Sequence, residues 1–388
     1  MLDYQILQQK YMVNTYPNRG VVLVAGEGMY LFDQTGDKYL DLMTNYGVDI
    51  FGHGHPFIMQ KIIEQMQRLT TLHGSFNNDQ RAVAAKKLVN RCRGGLEKVY
   101  FSNSGSEANE AALKFAVLAT GKKKFIMCGN GYHGKTLGAL SATSGKKYRQ
   151  AFEPLLWDFT EVEFGNCAQI EEAVDMDTAA IILEPVQGEA GITFSKPGFL
   201  NKVRRICKRK NILMILDEVQ SGTGRTGRFL ASQEDKDLSY DIVCLGKGLA
   251  GGVPVGATLV SAGIAGEIPK SIHTSTFGGN PLACAGILAT LELLDDFMLS
   301  HIYSSGEYFK NEFKSMKKDI VKDVRGRGLM LGVEVNAERN RILKYLQKNG
   351  VLAIPASDSV IRFLPPYIIE QSHIDFALNV WEKAMGEI

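Results

Sequence analysis

The chain has 388 residues and a net charge of +2, from 44 basic and 42 acidic side chains. With 45% hydrophobic and 22% charged residues it has the composition of a soluble globular protein, long enough for one large core and a second smaller one. No basic stripe with interleaved aromatics is present, so nucleic acid is not indicated as a partner, and no uncharged apolar run is long enough to span a membrane.

Six cysteines, none in a C-x-x-C pair, sit mostly inside apolar segments, as small apolar residues do in a reduced compartment. The start, Met1-Leu-Asp-Tyr-Gln5, lacks the basic region and apolar core of a signal peptide. A cytoplasmic protein is expected. The basic clusters at 122–124 and 202–210 read as solvated helix ends or faces.

Residues 1–50 are expected to form a short helix, a turn and a strand pair, punctuated by Gly26-Glu-Gly28 and Thr35-Gly-Asp37. Phe51-Gly-His-Gly-His-Pro56 then breaks the pattern. Its two histidines have no third ligand spaced nearby, so they read as loop residues and no metal site is expected. Amphipathic helices are expected at 58–69 and 80–89. Strand-like runs follow at 98–101, 124–128, 179–183, 212–216, 242–245 and 257–260, separated mostly by helical segments such as 107–119 and 199–210. Apolar, non-alternating strands between helices argue for an α/β fold with a mostly parallel sheet covered on both faces. Ligands of such sheets bind at the carboxyl ends of the strands.

After Pro281 a long helical pattern runs over 282–294. The remainder reads as helix, strand (329–335), helix (341–348), strands (351–354 and 360–364) and a last helix (374–385). The expected division is therefore 1–50 as an N-terminal segment of a small domain, 51–285 as a large domain, and 286–388 as the rest of the small α+β domain. No internal repeat or long linker interrupts it.

Three strand ends carry residues that could do chemistry. Phe101-Ser-Asn-Ser-Gly-Ser-Glu107 is a strand end, a small-residue loop and a helix start, with Ser104 and Glu107 spaced as a capping box. A helix start holds free N–H groups and partial positive charge, so it is either an ordinary N-cap or a phosphate site. Leu213-Met-Ile-Leu-Asp-Glu218 brings Asp217 to a desolvated position that needs a cationic partner. That partner is a protonated heterocyclic nitrogen or an arginine such as Arg225 or Arg228. Ile242-Val-Cys-Leu-Gly-Lys-Gly248 delivers Lys247 between two glycines, as a surface loop lysine, an anion ligand or a reactive amine. Nucleotide fingerprints of the G-x-G-x-x-G and G-x-x-x-x-G-K-[ST] kinds do not fit. A pyridine ring facing Asp217, a phosphate at the Ser106 helix start and an aldehyde at Lys247 describe pyridoxal phosphate.

The chain resembles the class III pyridoxal-phosphate aminotransferases of fold type I, the acetylornithine and ornithine aminotransferase family, over nearly its whole length. The matching stretches include Asn103-Ser-Gly-Ser-Glu-Ala-Asn-Glu110, Tyr132-His-Gly-Lys-Thr-Leu-Gly-Ala-Leu-Ser141, Glu184-Pro-Val-Gln-Gly-Glu189, Leu216-Asp-Glu-Val-Gln220, Gly224-Arg-Thr-Gly227, Gly246-Lys-Gly248, Ser275-Thr-Phe-Gly-Gly-Asn-Pro281, Val324-Arg-Gly-Arg-Gly328 and Ile361-Arg-Phe-Leu-Pro-Pro366. The resemblance implies that Lys247 bonds to the cofactor and moves a proton, as general base and then acid. It implies that Asp217 faces the pyridine nitrogen, Gln220 the ring hydroxyl, and Gly105 and Ser106 the phosphate. Tyr132 and Val219 would press the two ring faces. Thr276 would reach the phosphate of a neighbouring subunit, which implies a homodimer with shared active sites.

Glu189 and Arg362 resemble the pair with which this class accommodates two unlike substrates. The arginine grips the α-carboxylate of glutamate or 2-oxoglutarate and otherwise turns to the glutamate. Lys135, Tyr16 and Tyr46 fall at donor-binding positions, where the patterns of the family's branches disagree. Lys135 stands where acetylornithine and ornithine enzymes usually carry arginine, and putrescine-type enzymes resemble the chain there. Tyr46 resembles ornithine enzymes and some enzymes of the carrier-protein lysine pathway, and Tyr16 the ornithine type. The compact length and Asn14-Thr-Tyr16 resemble the acetylornithine branch.

The expected reaction is transfer of the terminal amino group of N-acetylornithine to 2-oxoglutarate, as in arginine biosynthesis. Ornithine, putrescine and carrier-bound aminoadipate semialdehyde chemistry are the alternatives. An aminomutase, decarboxylase or racemase on the same scaffold would need neither Glu189 nor Arg362, and a silent binding protein would have lost Lys247 or Asp217. All four residues are present. Glu184 ends a buried strand directly before Pro185, so it needs partners, whether cofactor or protein groups.

Overall fold

A computed structural model describes residues 3–316, 320–336 and 338–387. The first two residues of the segment read for a leader, and 317–319, 337 and 388 of the small domain expected at 286–388, lie outside the described residues. At the centre is a seven-stranded sheet. In chain order its strands are β1 (Lys98–Ser102), β2 (Lys124–Cys128), β3 (Asp158–Val162), β4 (Thr178–Leu183), β5 (Leu213–Asp217), β6 (Ile242–Leu245) and β7 (Gly256–Val260). In space they run β1-β7-β6-β5-β4-β2-β3. β7 pairs antiparallel with both its neighbours and every other pair is parallel.

Burial on both faces explains why these strands do not alternate in polarity. Every residue of β4 and β6 is buried. Alternate residues enter separate cores: Met214, Leu216, Val243 and Leu245 pack in one, Ile215, Ile242 and Cys244 in the other. β3 was not expected. It lies at the sheet's edge, where Asp-Phe-Thr-Glu-Val needs only partial burial and so carries no apolar run.

The two chain ends meet. Leu23–Glu27, Tyr30–Asp33 and Lys38–Asp41 form an antiparallel meander, one strand more than the expected pair, and Val351–Leu352 adds to it in parallel. A second four-stranded sheet joins Val321–Arg327, Met330–Val335, Val360–Phe363 and Ile354–Ala356. The apolar run expected as one strand at 351–354 thus splits between two sheets. Phe309, Phe313, Phe363 and Trp381 pack ring to ring beneath the second sheet, with centroids 4.9 to 6.3 Å apart. No described helix is long and apolar enough to cross a membrane.

Candidate active site

The carboxyl ends of β1, β2, β4, β5 and β6 open on one side of the sheet, and the polar residues collect there. After β6 the chain turns at once, and Lys247 takes a left-handed backbone with φ of +49°. For a residue with a Cβ that conformation costs about 1–2 kcal/mol and marks a site the surroundings dictate. Gly248 is dictated by packing: a Cβ there would lie 2.4 Å from Cγ2 of Ile50. Burial holds the Lys247 amine below the usual lysine pKa, although Asp217 and Glu189 pull it up. A buried amine that gives up its proton more readily is a nucleophile and a base, not a solvated loop cation.

Asp217 closes β5, and its carboxylate is 4% exposed. Oδ1 accepts the Val219 N–H at 2.9 Å. Oδ2 accepts from Asn109 Nδ2 at 2.7 Å and lies 2.8 Å from His133 Nδ1. Burial works against charge on His133, but the hydrogen bond and charge of Asp217 outweigh it and raise its pKa. The arginines suggested as partners go elsewhere. Arg225 donates to the Leu329 and Pro365 carbonyls, and Arg228 pairs with Glu234 at 3.4 Å.

The helix α1 (Gly105–Thr120) follows β1 directly. Ser104 Oγ caps it by accepting the Glu107 N–H at 3.2 Å. The reciprocal half of the expected capping box shifts by one residue: Glu107 Oε2 accepts the N–H and the side-chain amide of Asn103, each at 2.8 Å. Gly105 and Ser106 occupy the first turn, whose N–H groups have no helical acceptor. A Cβ at Gly105 would lie 2.5 Å from Cγ1 of Val219, so the valine is pressed onto the helix start. Tyr132 stands close enough to Glu189, Tyr148, Tyr16 and Asp217 for their charges to add to burial, which pushes its hydroxyl up to about 12.

Arg362, on Val360–Phe363, is fully buried. It donates to Glu189 Oε1 at 2.8 Å and to Gln220 Oε1 at 2.9 Å, and its guanidinium lies 5.4 Å from the Tyr46 ring centroid. Thr44, Asn45 and Tyr46 all have positive φ, a strained turn that brings Tyr46 to the arginine. The Thr44 hydroxyl ties that turn to the Leu364 carbonyl at 2.7 Å.

A buried carboxylate, a lysine of lowered proton affinity, a helix start and a bridged arginine therefore lie close together at these strand ends. The family model for class III aminotransferases matches residues 11–385. The chain belongs to the class III aminotransferases. It is 42% identical over 379 residues to an acetylornithine aminotransferase of Methanopyrus kandleri, covering 97% of each. It is 40% identical to a putative [LysW]-aminoadipate semialdehyde/glutamate semialdehyde transaminase of Pyrococcus furiosus, covering 94% of this chain and 96% of that one. Its fold is similar to a crystal structure of ornithine aminotransferase from Toxoplasma gondii ME49, with a TM-score of 0.94, 32% identity and coverage of 99% and 94%.

This aminotransferase is a pyridoxal 5′-phosphate enzyme that moves an amino group from a small-molecule donor to a keto acid. The side chains present fit that cofactor in kind: an amine for its aldehyde, a buried carboxylate for its ring nitrogen, and a helix start for its phosphate. Of the remaining residues expected at the aminotransferase site, Lys135 is exposed, with its amine 5.8 Å from the Tyr148 ring centroid. The Tyr148 ring meets Tyr132 edge-on at 5.7 Å. Tyr16 is 80% exposed. Thr276 is exposed on the loop before Pro281, beside Ser275, whose hydroxyl is 3.3 Å from Asn103 Nδ2.

Sequence reasoning gave no role to His133, Asn109 or Tyr148. Asn109 carried a signal: it is an amide at a buried position of a helix whose other buried residues are alanine, leucine and phenylalanine. His133 followed a strand end, but only the fold brings it to Asp217, 84 residues away.

Proposed function

We propose that this enzyme transfers the terminal amino group of N-acetylornithine to 2-oxoglutarate, giving glutamate and N-acetylglutamate semialdehyde. The observation that carries the reading is Arg362, buried and held by Glu189 and Gln220 within the charge field of Lys247. A site that must bind a carboxylate in one half-reaction and a different end of the donor in the other needs an arginine that can be neutralised from within. The 42% identity to a relative named for acetylornithine supports the donor.

When bound, pyridoxal phosphate supplies the electron sink that lets an amino group leave one carbon and join another. Lys247 Nζ would serve as the base that takes the proton from the amine-bearing carbon of the donor, and then as the acid that gives it back. Asp217, aimed by Asn109 and His133, would hold the proton on the ring nitrogen. Gln220 serves the ring hydroxyl as well as Arg362. Gly105 and Ser106 would receive the phosphate, and Tyr132 and Val219 would confine the ring and keep water from its faces. With 2-oxoglutarate bound, Arg362 gives both prongs to the α-carboxylate. With the donor bound, it returns to Glu189. Lys135 meets the donor's carboxylate as a point charge, with Tyr16 and Tyr46 shaping the donor side.

The test is glutamate formation from 2-oxoglutarate with N-acetylornithine, ornithine, putrescine and 4-aminobutyrate in parallel. N-acetylornithine should have the highest kcat/KM, and no glutamate with any donor would defeat the reading. The lysine-pathway reading is favoured by the relative of that name at 40% identity, and a higher kcat/KM with a carrier-bound donor would select it.

We propose further a homodimer in which Thr276 completes the partner's phosphate site, because Thr276, Ile272 and Phe277 are all exposed. A monomer by light scattering would overturn this. The domain reading of 1–50 with 286–388 around 51–285 predicts first proteolytic cuts near 50 and 285, and first cuts inside 51–285 would refute it. A cytoplasmic location is part of the proposal and is checked by cell fractionation.

A further inference from the structure

Glu184 is buried at the end of β4, and both its acceptors are engaged by backbone. Oε1 accepts the Tyr132 N–H at 3.0 Å and Oε2 accepts the Gly188 N–H at 3.3 Å. The two donors belong to different loops. One follows β2 and carries Tyr132 and His133. The other follows β4 and carries Glu189, the partner of Arg362. Gly188 is itself confined, since a side chain there would run into the Gln220 carboxamide, the second partner of Arg362.

We propose that Glu184 is a positioning residue that clamps the Tyr132 turn to the Gly188–Glu189 turn, and so sets the Arg362 pair at a fixed place relative to the cofactor ring. The inference rests on the roles proposed above for Tyr132 and for the Glu189–Arg362 pair. Its chemistry is specific. Two N–H donors face the group, so two acceptor oxygens are required. An amide of the same shape would turn its NH2 against one of the donors. A carboxylate one methylene shorter cannot span both loops. The titratable and charged groups around the clamp are His133 on the Tyr132 loop, Cys128 at the end of β2, Asp217 at the end of β5 and Lys247 after β6. Burial pushes the carboxyl up to about 7, with His133 opposing and Asp217 adding to the rise. The clamp therefore weakens as pH falls through neutrality.

The experiment uses the full chain loaded with pyridoxamine phosphate and reacted with 2-oxoglutarate alone, so that donor identity does not enter. Glu184→Gln and Glu184→Asp should each raise KM for 2-oxoglutarate about tenfold, with a much smaller change in kcat, as expected for one lost charge-assisted hydrogen bond that positions a binding group. The visible circular dichroism of the bound cofactor should shift in both. In the wild type KM should rise as pH falls below about 7. In Glu184→Gln that inflection should be gone. Wild-type KM and dichroism in both variants overturn the inference, and so does a loss confined to melting temperature or cofactor retention. A wild-type enzyme that does not react with 2-oxoglutarate defeats the acceptor reading itself, which is a different result from variants that behave as wild type.

Discussion

Replacing Arg362 with methionine removes the guanidinium and leaves an apolar chain of similar reach in a fully buried position. The native side chain makes two bonds, at 2.8 Å to Glu189 and 2.9 Å to Gln220. In the acceptor half-reaction the same two prongs would serve the carboxylate of 2-oxoglutarate. Two charge-assisted bonds at about 1.5 kcal/mol each set an upper bound of about 3 kcal/mol, or roughly 150-fold in KM, because the bonds to Glu189 and Gln220 are given up on binding. The contact lies away from the reacting carbon, so it is the same in ground and transition states and kcat should change little. Arg362→Lys keeps the charge as a point and loses one prong, which predicts about tenfold. Glu189 is 27% exposed on its side chain and can rehydrate when freed, so loss of the pair should cost at most about 1 kcal/mol of stability. The assay is the single-turnover reaction of the pyridoxamine-loaded enzyme, followed by the cofactor's absorbance across 2-oxoglutarate concentrations. A folded, cofactor-bound Arg362→Met whose KM stays within about threefold of wild type would refute the reasoning.

Lys247→Ala should abolish turnover and the absorption band of lysine-bonded cofactor, and a retained band would remove Lys247 from its role. Because Lys247 has φ of +49°, Lys247→Gly should be more stable than Lys247→Ala by about 1 kcal/mol in urea unfolding, and equal stability would mean the turn is not strained. His133→Ala breaks a buried pair with Asp217 and should cost about 3 kcal/mol, whereas His133→Asn keeps a donor near the Nδ1 position and should recover part of it. Equal losses in the two variants would show that packing, not the hydrogen bond, is what His133 contributes. Glu184 has a folded pKa raised to about 7 from an ordinary 4.5, so the stability gained by burying it as the neutral acid is fully present below 4.5 and lost as pH rises through 7, opposite in direction to the clamp, which needs the carboxylate. Glu184→Gln should therefore gain stability relative to wild type between those values and hold a constant difference above them, as read by denaturant midpoints along a pH series. A difference that does not change with pH would mean that the carboxyl is not displaced from its ordinary range.

The sequence by itself determined the alternation of buried strands and helices, because a strand covered on both faces must be apolar throughout and a covering helix must be amphipathic. It also placed Ser106, Asp217 and Lys247 after the ends of three strands, since a run such as Ile242–Leu245 stops where its polar residue begins. The strands β3 and Val321–Arg327 escaped notice because edge and half-exposed strands carry mixed polarity and leave no apolar run to read. Only the tertiary structure decided what faces what. Asp217 is met by Asn109 and His133 and not by Arg225 or Arg228, and a choice between partners 8 and 84 residues away depends on how loops stack at the sheet edge, which local periodicity does not encode. The strained turn at Thr44 to Tyr46 is tied down by the distant Leu364 carbonyl, and the glycine after the left-handed Lys247 is required by the approach of Ile50. Glu184 shows the division most sharply. Its burial followed from the apolar run before it, but its clamp on two loops exists only once β2 and β4 lie side by side, because each acceptor needs a donor that the chain supplies from a different loop.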